Sequence, residues 1–181
     1  MPTTNTQFSR NPIISGLLQA YLALRQRLQQ SAAWLPPFLI RMLLAWEFLE
    51  SGLEKYHGQN WFADIMFPFP FNLLPVDISW QLATYVEILG ACALLLGLAT
   101  RFFALSLMIL TVVAILSVHA PEHATMLLDW LQGYRIVDET GDGYGNYKLP
   151  LIYLVMFLPL LLGGAGKLSL DHYLGSRLLR L

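Results

Sequence analysis

Cysteine is almost missing from this sequence: Cys92 is the only one among 181 residues, and it lies within a long apolar run. A relay that forms disulfide bonds needs cysteine pairs, and iron–sulfur clusters are held by several thiolates. One chain of this kind can support neither chemistry. Only His119 of the four histidines lies at a long apolar run, so we also expect no haem held between helices by two histidines.

Charge is scarce as well. Charged residues make up 13% of the chain and hydrophobic residues 56%, and the mean hydropathy is +0.52. Soluble domains carry about 25% charged residues. The composition therefore predicts an integral membrane protein of the all-α class, with the lipid bilayer as its first partner and no role for nucleic acid.

Four stretches are predicted to cross the membrane, because a helix needs about 20 mostly apolar residues to cross about 30 Å of hydrocarbon. They cover about residues 37–56, 80–100, 102–119 and 149–165. The predicted fold is a polytopic four-transmembrane-helix bundle over residues 35–171, with two outer loops.

The segments on either side of this bundle are predicted to stay out of the membrane core. In residues 1–34, apolar side chains between Ile13 and Leu28 recur at helical spacing among arginines and glutamines. This pattern is typical of an amphipathic helix lying on the membrane surface, although a helix packed on the cytoplasmic side of the bundle would show it too. Residues 172–181 are predicted to form a cytoplasmic tail.

The distribution of lysine and arginine predicts the orientation. One side of the predicted bundle holds Arg10, Arg25, Arg27, Arg101, Lys167, Arg177 and Arg180, and the other holds Lys55, Arg135 and Lys148. Cytoplasmic loops carry an excess of these residues. We therefore expect a bacterial inner-membrane protein with both termini in the cytoplasm.

Glu87 is a lone carboxylate in TYVEILGACALLLGLAT, which otherwise carries no charge. A charge at that depth costs roughly 2.5–3.5 kcal/mol on insertion scales, so such groups usually face a bundle interior or a wet cavity. Function should be sought around Glu87, as proton handling or ligand binding. A structural hydrogen bond to a helix end is the alternative.

The first predicted span orders its charges by face. At about 100° per residue, Arg41, Gly52 and Lys55 share one stripe, and Glu47, Glu50 and Glu54 lie nearly opposite. Arg41 is expected to extend its charge to the cytoplasmic surface.

Glu50 and Glu87 are predicted to lie at one depth, on the order of 10 Å below the outer surface. Two carboxylates there would repel each other unless one is protonated or a cation intervenes. Lys55 or a protonated His119 could supply that cation.

The candidate site residues follow from these patterns. Candidates for proton handling are Glu47, Glu50, Glu87 and His119. Candidates for ligand contact are Lys55, Trp61, Phe69 and Tyr85. Candidates for structural roles are Arg41, Gly52, Gly90, Gly97, Arg101 and Asp171.

The first outer loop, HGQNWFADIMFPFPFNLLPVDISW, is too hydrophobic for a solvated connector and too rich in proline for one helix. Its aromatic residues predict a belt at the membrane interface. Alternatively, the loop is a lid over the acidic region that offers a flat apolar surface to a quinone ring or a lipid-soluble substrate.

His119, Glu122 and His123 spell the H-x-x-E-H of certain zinc proteases. Pro121 between them favours the start of a new helix, so the two imidazoles need not share a face. We predict no metal site, with loose copper or zinc binding by His119 and His123 as the alternative.

Three segments in this order, RMLLAWEFLESGLEK, EILGACALLLGLATR and the closing GGAGKLSLD, resemble the DoxX family of small four-span membrane proteins. The resemblance runs from about Arg41 to Asp171. It implies a four-helix fold and a link to respiratory redox chemistry, since the family takes its name from a subunit of a quinone-coupled sulfur-oxidising complex. The aromatic outer loop and GNYKLPLIY are similar to a branch associated with the maturation of copper-binding ribosomal peptides.

Two classes of function remain. The preferred one is a membrane subunit of a quinone-linked oxidoreductase, in which the acids and His119 bind a quinone head group or pass its protons while a partner subunit supplies the electron carrier. The alternative is a non-catalytic membrane anchor or an assembly or maturation factor for partner enzymes. Four spans without an internal repeat disfavour a proton-coupled transporter, and a homo-oligomer is left open.

Overall fold

The chain folds into helices. The computed structural model describes residues 12–121, 127–135 and 145–178, and contains no strand within those ranges. The α-helices are α1 (Pro12–Ala32), α2 (Leu35–His57), α3 (Val76–Leu96), α4 (Thr100–Ala114), α5 (Leu127–Arg135), α6 (Lys148–Gly163) and α7 (Leu170–Leu178). Short 3-10 turns occur at Phe62–Asp64 and Phe71–Leu73, and a π-helical turn, Ile115–His119, continues α4.

The predicted all-α membrane fold is confirmed. Ile13–His57, Val76–Leu96 and Thr100–His119 are long and apolar enough to cross a membrane, and Lys148–Gly163 is a shorter apolar helix. α2 packs mainly on α3, and α4 packs on both α3 and α6. Which side each terminus faces stays a prediction.

α1 stands apart from the bundle. Its described side chains are exposed except Ser31, and its apolar residues include Leu17 and Leu24, which are 67% and 57% exposed. That α1 lies on the membrane surface stays a prediction.

The core lies between α2, α3, α4 and α6. Its fully buried members include Leu44, Leu94, Leu107 and Phe157. Gly90 lets α4 approach α3, since a Cβ there would lie 3.0 Å from the side chain of Leu107. Small residues in membrane helices commonly permit such contact between backbones.

Arg41 does not reach the protein surface, contrary to our expectation. The side chain is buried, with 1% of the residue exposed, and Nη1 donates a hydrogen bond to the Leu94 carbonyl oxygen at 3.1 Å. Nη2 donates to the carbonyl oxygen of Leu168. The last carbonyls of a helix have no partner within the helix, so Arg41 is held inside because it satisfies the end of α3.

Arg101 and Asp171 hold the start of α4. Arg101 Nη2 donates to the Leu162 carbonyl oxygen at 3.1 Å, near the end of α6. The two carboxylate oxygens of Asp171 accept hydrogen bonds from the backbone N–H groups of Ala99 at 2.7 Å and Thr100 at 2.9 Å. A residue of α7 therefore caps the start of α4, although the two helices are far apart in the sequence.

Asp171→Ala is expected to lower the free energy of unfolding by about 0.5–2 kcal/mol, because two backbone donors at the start of α4 lose their acceptors. Asp171→Asn keeps one acceptor and should lose less. SDS titration of the purified protein in mixed micelles measures the change.

Asp64→Ala is the matched control, since Asp64 is an exposed acid in the outer loop. It should stay within about 0.5 kcal/mol of the unsubstituted protein. Equal midpoints for Asp171→Ala and Asp64→Ala would contradict the capping role.

Candidate functional site

A cavity of about 730 Å³ opens between the helices at the end where α2 and α4 finish and α3 and α6 begin. Its walls come from the last turns of α2, the first outer loop, the first half of α3, the second half of α4 and the first turns of α6. Most of the lining residues are apolar or aromatic, with a few charged groups among them. This combination is typical of sites for small, largely apolar ligands.

The central polar feature is an ion pair between α2 and α3. Lys55 Nζ lies 2.8 Å from Glu87 Oε2 and 3.0 Å from Oε1, and only 14% and 4% of the two side chains are exposed. Lys55 Nζ also donates to Ser51 Oγ at 2.7 Å, one turn earlier on α2. Glu87 therefore lies at the cavity wall with a cation as its partner.

Gly52 makes this pair possible. A Cβ at position 52 would lie 2.8 Å from Ile88 Cγ1 and 3.1 Å from Glu87 Cβ. α2 and α3 therefore approach closely one turn before Lys55, which brings its ammonium group against the carboxylate. The structural role of Gly52 stays a prediction, and this close approach of the two helices is its geometric basis.

A second polar pair connects α2 to α6. The hydroxyl of Tyr153 donates a hydrogen bond to Glu47 Oε2, and both residues line the cavity. The Tyr153 ring also packs at 5.8 Å between centroids against Phe48 of the core. The hydroxyl of Tyr153 therefore holds the Glu47 carboxylate in a residue of the cavity wall.

His119 ends the π-helical turn after α4 and also lines the cavity. Its Nδ1 is hydrogen-bonded to Asn146 Oδ1, and its carbonyl oxygen accepts from the Asn146 backbone N–H at 3.2 Å. π-helical turns are frequent at functional sites. Here the turn and Asn146 together set the direction of the imidazole.

The outer loop covers the cavity with aromatic rings. Trp61, Phe62, Phe67 and Phe71 line it, and Phe62 packs edge-on against Trp80 with ring centroids 5.0 Å apart. We call these four rings the aromatic lid; whether they also form a belt at the membrane interface stays a prediction. The 3-10 turns that begin at Phe62 and Phe71 place these two rings at the cavity wall.

Three of the eight residues predicted for proton handling or ligand contact lie outside the cavity lining: Glu50, Phe69 and Tyr85. All three are exposed, Phe69 by 77% and Tyr85 by 51%. Helix rotation explains two of them, since Glu50 lies about 140° from Lys55 on α2 and Tyr85 about 160° from Glu87 on α3. Phe69 lies in the turn between the two 3-10 segments. The predicted meeting of Glu50 with Glu87 is replaced by the Lys55 pair.

Sequence reasoning did not identify several polar residues of the cavity lining, among them Ser51, Ser79 and Tyr153. Ser79 is buried, and its hydroxyl has no hydrogen-bond partner among the described residues. Serines in membrane helices usually bond to their own backbone and give no pattern of their own. Tyr153 is one helical turn after Leu149, at the outer end of the fourth apolar run, which is the one feature that could have identified it.

No group of three or more His, Cys, Asp or Glu side chains able to hold a metal ion occurs within the part of the chain that the structure describes. Glu122 and His123, the other members of the H-x-x-E-H pattern, lie outside the described residues. The alternative of loose metal binding by His119 and His123 therefore stays a prediction.

Comparison with known proteins agrees with this architecture. The model of the DoxX family matches residues 37–120, which contain α2 from Pro37 onward, α3, α4 and the first outer loop. A Haemophilus influenzae protein described as "Uncharacterized protein" is 51% identical over 135 residues, which are 74% of this chain and 79% of that relative. No solved structure matches the chain.

The region matched by the family model contains Lys55, Glu87 and His119. The alignment with the relative covers most of both chains. The association with copper-binding peptides stays a prediction, because neither match concerns it. The chain belongs to the DoxX family of membrane proteins.

Proposed function

We propose that the protein is the membrane subunit of a quinone-linked oxidoreductase and that the cavity beneath the aromatic lid binds the quinone. The observation that supports this proposal is the cavity itself, which combines mostly apolar walls with two held carboxylates, an imidazole and a buried hydroxyl. A lipid-soluble ring with polar substituents fits such a site.

Each group of lining residues has a role that follows from its position in the cavity. The aromatic lid and the apolar walls receive the ring, and Lys55 and Ser79 offer donors for its oxygens. Glu47, Glu87 and His119 hold or pass protons at the cavity wall. The quinone supplies the two-electron chemistry, and a partner subunit supplies the electron carrier.

The test measures quinone co-extracted per mole of protein after purification in a mild detergent. Ser79→Ala removes a hydroxyl donor and Glu87→Gln removes a carboxylate. Each should lower that content by up to roughly tenfold, which corresponds to the loss of one hydrogen bond to the quinone. Ser79→Ala is the sharper variant, because the hydroxyl has no partner within the described residues and its removal should leave the fold intact.

Glu50→Gln is the matched control, since it makes the same chemical change on α2 outside the cavity lining. Its quinone content should equal that of the unsubstituted protein. Equal content in all four proteins contradicts the proposal.

One observation favours the second function, a non-catalytic anchor or assembly factor. Lys55 and Glu87 connect α2 and α3 directly, which is what a purely cohesive role for the charges requires. Under this alternative, Glu87→Gln lowers thermal stability, while recovery of partner proteins in pull-downs and cellular activity stay unchanged.

A further inference from the structure

A second cavity, of about 640 Å³, lies at the opposite end of the bundle. The first turn of α4, the link between α6 and α7 and the start of α7 form its walls, together with Ala33 from the link between α1 and α2. We call it the inner cavity, because the distribution of lysine and arginine predicts that this end faces the cytoplasm. It shares no residue with the cavity beneath the lid.

Two cationic side chains, Arg101 and Lys167, line the inner cavity, and both are exposed. Arg101 uses one N–H to bond the Leu162 carbonyl oxygen, and a guanidinium group carries five. The carboxylate of Asp171, also in the wall, has each oxygen bonded to a backbone N–H. The ligand space therefore presents mainly positive charge and N–H donors.

The wall also contains a polar group without a partner. Thr100 is fully buried, and its hydroxyl has no hydrogen-bond partner in the ranges that the structure describes. Buried polar groups are normally satisfied, and exceptions often mark a missing ligand or water. Thr100 is an independent reason to expect an oxygen-rich ligand here.

Exposed apolar side chains flank the inner cavity. Phe102, next to Arg101, is 65% exposed, and Leu162, at the end of α6, is 75% exposed. Apolar side chains beside a basic cavity can hold acyl chains while the cations hold a head group. Basic pockets between membrane helices on the cytoplasmic side are known to bind anionic lipid head groups.

We propose that the inner cavity binds a phosphate group, supplied by the head group of an anionic membrane lipid. Arg101 forms N–H···O bonds to the phosphate, as guanidinium groups do with tetrahedral oxyanions, and Lys167 adds a point charge. Bound lipid would link α4, α6 and α7 at the membrane surface. This site is independent of the proposed quinone.

The test uses the full chain purified in detergent with phosphatidylcholine, to which phosphatidylglycerol is added. Native mass spectrometry should show retained phosphatidylglycerol, and the double variant Arg101→Gln/Lys167→Gln should retain roughly tenfold less. The control is Arg25→Gln/Arg27→Gln, which removes the same charge from exposed positions on α1 and should retain as much as the unsubstituted protein.

Two further arms decide the source of the phosphate and guard against misfolding. Inorganic phosphate in place of lipid should bind far more weakly; if it binds as well as the lipid, the phosphate site stands but the lipid head group is refuted. Because Arg101 also bonds Leu162, Lys167→Gln alone is tested too, with its thermal midpoint in phosphatidylcholine as the check on folding. Equal retention of phosphatidylglycerol and phosphatidylcholine, or no loss in the variants, overturns the proposal.

Discussion

Lys55→Met is expected to lower the free energy of unfolding by about 3–5 kcal/mol, the usual cost of removing one partner from a buried ion pair. Glu87 would remain with 4% of its side chain exposed and without the ammonium group that now lies 2.8 Å from its carboxylate. SDS titration in mixed micelles, followed by far-UV circular dichroism, measures the loss.

The double variant Lys55→Met/Glu87→Met should recover most of that stability, because replacing both members of a buried pair by apolar residues of similar size is often neutral. Arg27→Met, on the exposed face of α1, controls for the loss of a positive charge and should stay within about 0.5 kcal/mol. A small cost for Lys55→Met, equal to that of Arg27→Met, would show that the pair contributes nothing to the bundle.

The same double variant separates the two proposed functions. If Lys55 and Glu87 serve the cavity, a stable double variant should still lose co-extracted quinone. If they serve only cohesion, the double variant should keep partner binding and cellular activity. Stability and ligand content are therefore to be measured on the same preparations.

The sequence predicted that Glu87 faces the bundle interior, because a lone acid in an apolar run needs a buried partner, and Glu87 is buried against Lys55. The sequence offers two cations for that partner, Lys55 and a protonated His119. The choice between Lys55 and His119 could not be made in advance, because it depends on how closely Gly52 lets α2 approach α3.

The rest of the site could not be predicted, because the sequence does not show which face of each helix meets which neighbouring helix. Glu47 and Glu50 are three residues apart and fall in one acidic stripe, yet only Glu47 lines the cavity and bonds Tyr153. The difference arises because α6 packs beside α2 at Glu47. Contacts between residues 106 positions apart in the chain leave no periodic pattern in either segment.

The helix ends and the groups that bond to them were also not fully predictable from the sequence. The second span was predicted to begin near Trp80, but α3 starts at Val76, directly after Pro75, and ends before Gly97. The sequence predicts Arg41 at the surface, because a charge in a span usually extends to water. Its actual acceptors, the carbonyl oxygens of Leu94 and Leu168, become available only when the tertiary structure forms.

Gly97→Ala is expected to lower the free energy of unfolding by about 2–5 kcal/mol, for two reasons that act together. Gly97 has φ +67° at the end of α3, a left-handed conformation that costs other residues about 1–2 kcal/mol. A Cβ there would also overlap the guanidinium group of Arg41 and lie 2.5 Å from Ser169 Cβ. Overpacking of this kind costs about 1–3 kcal/mol.

The consequences should reach beyond Gly97 itself, because its carbonyl oxygen accepts a hydrogen bond from the Asp171 backbone N–H at 2.9 Å. Displacing Arg41 or the turn would disturb the cap of α4 and the inner cavity together. Gly16→Ala is the matched control: a Cβ at position 16 in α1 has no heavy atom within 4 Å, so the change should stabilise the helix by up to about 1 kcal/mol. SDS titration measures both variants. Equal midpoints for Gly97→Ala and Gly16→Ala, whether lowered or unchanged, would contradict a stabilising role for the close contact between Gly97 and Arg41.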